Sequence, residues 1–243
     1  MANSLTDTMA YMLPFCRYQA ANIGTSSMPM IGIGNIVRNI VLAAPFTWRF
    51  NRNNVNLIGS ATPPGITKGV QDYTQKISDF GFLEVVTAND SATSWQFKDV
   101  KNNEALASSV TQARPMTISV FNDDLAGNIT FRLSAVPDSA YTINLVYQKA
   151  PVQFTSVTDP WAPIPDSFSD VYNNMCLGYY MDSCQDSRAP QYIARGIAGL
   201  LSRAQGLSSM DKAIFAAAYM NLNVQQMLEQ TRAQQGTQAQ AAR

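Results

Sequence analysis

The chain has 243 residues and carries 17 Lys and Arg against 17 Asp and Glu, a formal net charge of zero. That length holds one large domain or two modest ones, and the neutral balance argues against a free nucleic-acid binder, which normally shows a basic face. Charged residues make up only 14% and histidine is absent, which removes Ser-His-Asp and Cys-His catalysis and the usual zinc sites.

From the N-terminus, Ser4-Leu5-Thr6-Asp7 predicts a helix start, with Ser4 as N-cap and Asp7 three positions on, a variant of the capping box. Pro14 kinks or divides this helix. Asn22 to Pro29 reads as a loop, and a second helix is predicted from Ile33 to Ala44, with Ile36, Val37, Ile40 and Val41 as its apolar stripe. Met9, Met12, Met28 and Met30 read as core and interface filler rather than thioether ligands.

After Pro45 the hydrophobic period changes from 3.6 to 2. Phe46 to Asn51 alternates, and Val55 to Ile58 continues in strand fashion. Further predicted strands are Gly69–Ile77, Phe80–Val86, Ser94–Phe97, Met116–Phe121, Ile129–Ala135 and Tyr141–Tyr147. Turns separate them at Thr62-Pro63-Pro64-Gly65, Asn89-Asp90-Ser91, Asn122-Asp123-Asp124, Gly127-Asn128 and Pro137-Asp138-Ser139. Lys101–Ser109 fits either a short helix or an irregular connection. Closely spaced strands of this kind predict an antiparallel sandwich or barrel-like module rather than a βαβ sheet.

Trp161 to Leu222 then predicts three consecutive helices. Asp166 is a candidate N-cap and Asp170 sits in the first turn, where the helix dipole favours negative charge. Gly206 stops the second helix, and Ser208 or Ser209 caps the third. The fold class is therefore α+β: a helical body built from the N-terminal and C-terminal helices, with the β-module inserted. Its predicted parts are residues 1–46, 47–150, 151–228 and a Gln/Ala-rich arm, 229–243. The arm is too poor in apolar surface to offset its own ordering entropy. It is either a frayed terminus or a segment that orders on a partner.

Cys16, Cys176 and Cys184 form no disulfide framework, since Cys176 and Cys184 would lie roughly 12 Å apart along one helix. They read as free thiols in a reducing compartment. No apolar run approaches the roughly 18 residues of a membrane span, and no basic segment opens a signal peptide. The candidate chemistry is thin. Asp123-Asp124 sits in a turn context, and Asp79 and Glu84 are a second conceivable carboxylate pair. Gly32-Ile33-Gly34 lacks the third glycine and the strand of a dinucleotide loop. Ser208 near Lys212 is explained by capping. Trp48, Trp95 and Trp161 read as packing residues, with stacking on bases or sugars as the other use. No enzyme, cofactor or metal is expected.

The strand Tyr141-Thr142-Ile143-Asn144-Leu145-Val146-Tyr147 leads through Lys149-Ala150-Pro151 and Asp159 to Ile164-Pro165-Asp166-Ser167-Phe168 and a Tyr-bearing helix. With the helix Asn35 to Ala44 ending in Pro45-Phe46-Thr47-Trp48, this resembles the head-to-tail adaptor (connector) proteins of tailed bacteriophages, the group that includes the tail tubular protein A of short-tailed phages. The resemblance implies a virion structural protein, made in the host cytoplasm and assembled as a ring, usually a dodecamer, between portal and tail. It implies portal and a tail, nozzle or stopper protein as partners, DNA passing through the lumen without specific binding, and no membrane. The helical body and the arm, with Gln230, Arg232, Gln234, Gln235, Gln238, Gln240 and Arg243, would dock on the portal. Other neck, tail or minor head proteins, or a carbohydrate-binding β-module on a helical stalk, are the alternatives.

Overall fold

The computed structural model describes residues 3–16, 27–58, 65–90, 92–124 and 126–220. The chain forms two compact units: Met1–Phe46 together with Val152–Arg243, and Thr47–Pro151 between them. The described residues hold five α-helices and two four-stranded sheets, the α+β class that the alternation of periods predicts.

The first unit contains α1 (Leu5–Met12), α2 (Ser27–Leu42), α3 (Ser169–Ser183), α4 (Ala189–Arg203) and α5 (Ser209–Met220). At the start of α1 the Asp7 carboxylate accepts the Ser4 N–H and the Ser4 hydroxyl, both at 2.8 Å. Pro14 falls in a 3₁₀ turn, Leu13–Phe15, that ends this segment. Helix α2 begins earlier than its periodicity suggests, at Ser27, and takes in residues read as loop. Pro29 is tolerated there because the first-turn N–H groups have no intrahelical acceptor. Asp166 does not cap α3. It opens a 3₁₀ turn, Asp166–Phe168, and its carboxylate accepts the Asn3 N–H at 2.9 Å. Ser208 is the cap of α5, its hydroxyl oxygen accepting the Asp211 N–H at 3.1 Å. Leu222 and the whole arm, with Gln230, Arg232, Gln234, Gln235, Gln238, Gln240 and Arg243, lie outside the described residues.

Helices α3 and α4 cross through glycine. A Cβ on Gly178 would stand 2.7 Å from the Ile193 amide nitrogen, and one on Gly196 would stand 3.1 Å from both the Met175 nitrogen and the Val171 oxygen. Each helix thus offers a gap that the other fills with backbone, and Met175, Ile197 and Leu200 close over the seam without exposure. Trp161 centres the other end of this core. It is fully buried, stacked on Tyr172 at 4.3 Å, met edge-on by Phe154 at 4.9 Å, and its Nε1 donates to the Thr8 hydroxyl at 3.1 Å.

The second unit opens with a 3₁₀ turn, Arg49–Asn51, where sequence alternation suggests strand. Its strands are β1 (Arg52–Leu57), β2 (Asp72–Lys76), β3 (Phe80–Asn89), β4 (Ser94–Gln96), β5 (Asp99–Lys101), β6 (Thr117–Asp123), β7 (Asn128–Leu133) and β8 (Thr142–Lys149). One sheet has the order β1-β8-β3-β4 and the other β2-β7-β6-β5. Leu57, Leu83, Val86, Ile143, Leu145 and Tyr147 of the first sheet share one core with Tyr73, Ile118, Ile129, Phe131 and Leu133 of the second. The arrangement is an open sandwich and not a closed barrel. It is not wholly antiparallel either, because β5 runs parallel to β6. Strand β2 is shorter than expected because Gly69 takes φ +87°, a turn conformation that suits glycine.

Candidate functional site

The segment that carries the chain back from the β unit is fastened to α2 by polar side chains one helical turn apart. Asn35 reads the Phe154 backbone on both sides: its Oδ1 accepts the Phe154 N–H at 2.6 Å and its Nδ2 donates to the Phe154 oxygen at 3.3 Å. Arg38 donates to the Val152 oxygen at 2.7 Å, the Pro160 oxygen at 2.9 Å and the Ala162 oxygen. Its guanidinium lies 3.8 Å from the Phe154 ring centre. Asn39 Oδ1 accepts from Gln153 at 2.9 Å. Burial at 3% exposure holds the Arg38 pKa down at about 10, against the opposing field of Asp159.

Asp159 folds the segment itself, accepting the Thr155 and Ser156 N–H groups at 2.8 Å, which keeps its carboxyl below the usual range. The far side is pinned to α1, with the Thr6 N–H on the Val157 oxygen at 3.0 Å and the Trp161 N–H on the Asn3 oxygen at 2.8 Å. Residues 152–162 are therefore held between two helices by backbone groups read from both sides. Asn35, Arg38 and Asn39 carry a sequence signal: three polar residues at i, i+3 and i+4 interrupt the run Ile36, Val37, Ile40, Val41. Such a row on an otherwise apolar helix points to buried backbone that needs partners.

The residues singled out for chemistry are placed elsewhere and are each occupied. Asp124 closes a turn, accepting the Ala126 N–H at 2.8 Å and the Asn128 N–H at 2.9 Å. Asp79 accepts the Tyr147 hydroxyl at 2.8 Å, and burial together with that carboxylate pushes the phenol up to about 12. Glu84 is paired with Arg52 and accepts from Gln148 at 2.7 Å; Gln148 in turn accepts the Trp48 N–H at 3.2 Å. Gly34 faces α1, where an added Cβ would meet a Leu5 methyl at 2.6 Å, while Gly32 has nothing within 4 Å. The glycine pair therefore serves helix packing at one position only.

The tryptophans offer no open stacking face. Trp48 is 7% exposed and stacks on Phe50 at 5.6 Å. Trp95 has Arg114 over its ring at 4.3 Å and the Tyr141 ring edge-on at 5.1 Å. A sugar would have to displace these partners, so the carbohydrate alternative loses its geometric basis. Among the described residues no group of His, Cys, Asp or Glu is disposed to hold a metal, and no helix is long and apolar enough to cross a membrane. Cys16 and Cys176 are buried free thiols, both pushed up in pKa by burial.

Among the described residues, the large apolar side chains left exposed in the helical unit are Tyr11 and Leu13 at the end of α1, Ile36 on α2, Val152 on the returning segment, and Met210, Ile214 and Tyr219 on α5. Charge is balanced within each unit separately. The helical unit holds eight basic and eight acidic residues, and the β unit nine of each. Surfaces of this kind suit contact with protein rather than retention of a polyanion. Compared with known proteins, the chain matches a family model described as SU10 adaptor protein over residues 49–242, from the entry turn of the β unit through the C-terminal helices. No curated protein matches it.

Proposed function

The chain belongs to the SU10 adaptor protein family, and on that premise we propose that it is a structural protein of a bacteriophage virion. It sits at the head-to-tail junction as a closed ring, of about a dozen copies as the resemblance to head-to-tail adaptors implies, with portal on one side and a tail or stopper protein on the other. DNA passes through the lumen. Kinship with the tail tubular protein A group is part of this reading. The observation that carries it is the family match, which spans the β unit from Arg49 onward and the C-terminal part of the helical unit.

The charge distribution supports the reading. Each phosphate contact adds salt-dependent affinity and delays release, so a conduit gains from subunits in which neither unit has a net positive charge. The arm with Gln230, Arg232, Gln234, Gln235, Gln238, Gln240 and Arg243 is proposed to dock on the portal. Its amides and cations are groups that recruit backbone carbonyls and carboxylates once a partner supplies them.

Purified chain, alone and mixed with the portal protein of the same phage, should form rings visible by negative-stain microscopy. Monomers at every concentration, with no association with portal, would exclude the adaptor role. A strongly basic lumen in the assembled ring would contradict the account of charge.

A further inference from the structure

Two helices of the helical unit each expose a row of uncharged residues at heptad spacing. On α2 the side with Met30, Val37 and Val41 is buried in the core. The opposite side, carried one residue past the helix end, presents Pro29, Gly32, Ile36, Asn39 and Ala43, all exposed and spaced 3, 4, 3 and 4 positions apart. Ile36 is 46% exposed, and nothing stands within 4 Å of a Cβ built on Gly32. The one charged residue of the helix, Arg38, is buried toward the returning segment. That segment widens the face: Gln153 donates to Asn39 at 2.9 Å, and its neighbour Val152 is 73% exposed.

Helix α5 has the matching pattern. It packs on α4 and buries Ala213 and Ala216. Met210 and Ile214, 51% and 50% exposed, and the half-buried Ala217 follow one another at 4 and 3 positions. The row runs on in the sequence at Asn221 and Val224, again 4 and 3 positions further, outside the described residues. Pro29 to Ala43 and Met210 to Val224 are the same number of positions, about 21 Å at the helical rise.

We propose that these rows are the two halves of one contact between copies of this chain, the α5 row of one copy lying antiparallel on the α2 row of the next. The inference rests on the ring reading and assigns its subunit contact to named residues. Three observations select a second copy as the occupant. Both rows are exposed in the same copy, so neither covers the other. Neither row holds a charged residue, so their contact buries no ion. In antiparallel order their spacings coincide at every step, which sets Ile36 opposite Ala217 and Ala43 opposite Met210. At both of those steps a large side chain meets a small one, as interlocking helices require. A contact between unlike faces repeats from copy to copy and closes into a ring.

The test measures association of the full chain by sedimentation velocity over a concentration series, alone and with portal. It compares the parent, Ile36→Lys, Ile214→Glu and an equal mixture of the two variants. Both positions are exposed and both new residues favour helix, so melting temperatures should stay within about 3 °C of the parent. Each variant alone should associate at least about tenfold more weakly, because every contact it makes buries a lone charge. The mixture should recover to within about threefold of the parent. In it the unaltered α5 row of one variant meets the unaltered α2 row of the other, and the remaining contact brings the new cation beside the new carboxylate. Assembly unaffected by either substitution overturns the proposal. So does a mixture no stronger than its components, or a loss with only one substitution, which would mean that this row pairs with its like. Variants that assemble normally but lose portal binding overturn it too, and assign the face to the portal. A parent chain that stays monomeric with and without portal overturns the ring reading itself, and this contact with it.

Discussion

A guanidinium that donates to the carbonyls of Val152, Pro160 and Ala162 at 3% exposure has exchanged most of its hydration for three backbone acceptors. Removing it takes the charged donor from three part-buried hydrogen bonds, each costing on the order of 1–3 kcal/mol where water cannot replace it, partly offset by no longer burying a charge. Arg38→Met should therefore destabilise the helical unit by about 3 kcal/mol in urea titration. Arg38→Lys should recover little, because a point ammonium cannot reproduce a planar fork spanning three carbonyls. A loss below about 0.5 kcal/mol for Arg38→Met would show that the segment is held by its apolar contacts alone. Titration gives a second prediction at this scale. The carboxyls of Asp7, Asp90 and Asp159 are held below the usual carboxylate range chiefly by backbone N–H groups, that of Asp124 chiefly by the Asn128 side-chain amide, and that of Asp186 near 2 chiefly by Arg188. A folded pKa below the unfolded one gives stability that is present above the unfolded value and lost as pH falls through the folded value. With no histidine in the chain, the melting temperature should stay nearly flat from about pH 5 to 8 and fall from about pH 4 downward. A marked inflection near pH 6.5 would contradict this. These hubs were legible only in part. Asp124 announces its turn through the neighbouring glycine, while Arg38 is visible merely as a polar residue on an apolar helix, since its acceptors lie more than a hundred residues away.

Helix pairs and strands show how local pattern and distant contact divide the work. The glycines of α2 and the α3–α4 crossing look alike in sequence and behave differently in space. At Gly178 an added methyl would strike the backbone of Ile193, which cannot move without displacing the helix. At Gly196 it would stand 2.2 Å from the Met175 Cγ, near the root of that side chain, with backbone atoms 3.1 Å away. Gly178→Ala and Gly196→Ala should therefore each cost about 1–3 kcal/mol as overpacking. Gly32→Ala, with open space around it in the middle of an exposed helical turn, should stabilise by roughly 0.5–1 kcal/mol. Thermal melts of the three variants check the order, and a destabilising Gly32→Ala would break it. Elements with a long apolar period, such as α4 and β8, are readable from sequence because their own side chains define a face. The 3₁₀ turn Arg49–Asn51 is not, because the alternation Phe46-Thr47-Trp48 continues into it without a local break. Neither is β5, whose three residues are too few to show a period and whose pairing with β6 is parallel.

At the scale of the whole chain, an inserted unit makes a demand that its own topology meets. The entering strand β1 pairs antiparallel with the leaving strand β8, Arg52 opposite Gln148, and the Asn51 amide donates to the Lys149 oxygen at 2.9 Å. The chain therefore leaves the β unit beside the point where it entered, with paired Cα atoms about 5 Å apart. The α+β class was legible because the period of the apolar residues changes twice. The open sandwich shape depends on which strand faces follow one another into a shared core, and no local pattern contains that. Because the sandwich core from Leu57 to Tyr147 draws only on residues of its own unit, a fragment of residues 47–151 should fold by itself, with a cooperative melt and dispersed near-ultraviolet signal. The complementary deletion, joining Phe46 to Val152 through about four to six Gly/Ser residues, should preserve the helical unit, since a flexible linker of that length spans roughly 10–14 Å. Arg38 would still find Val152, Pro160 and Ala162 on the returning segment. If the deleted chain loses its helical circular dichroism, the helical unit depends on the β unit for stability and the two are one cooperative domain. If it keeps its helices but the Arg38→Met loss vanishes in this background, the returning segment is positioned by the β unit and not by α2. The expected result is a helical, cooperatively melting protein in which the Arg38→Met loss is unchanged, because both partners of that contact lie on the same side of the excision.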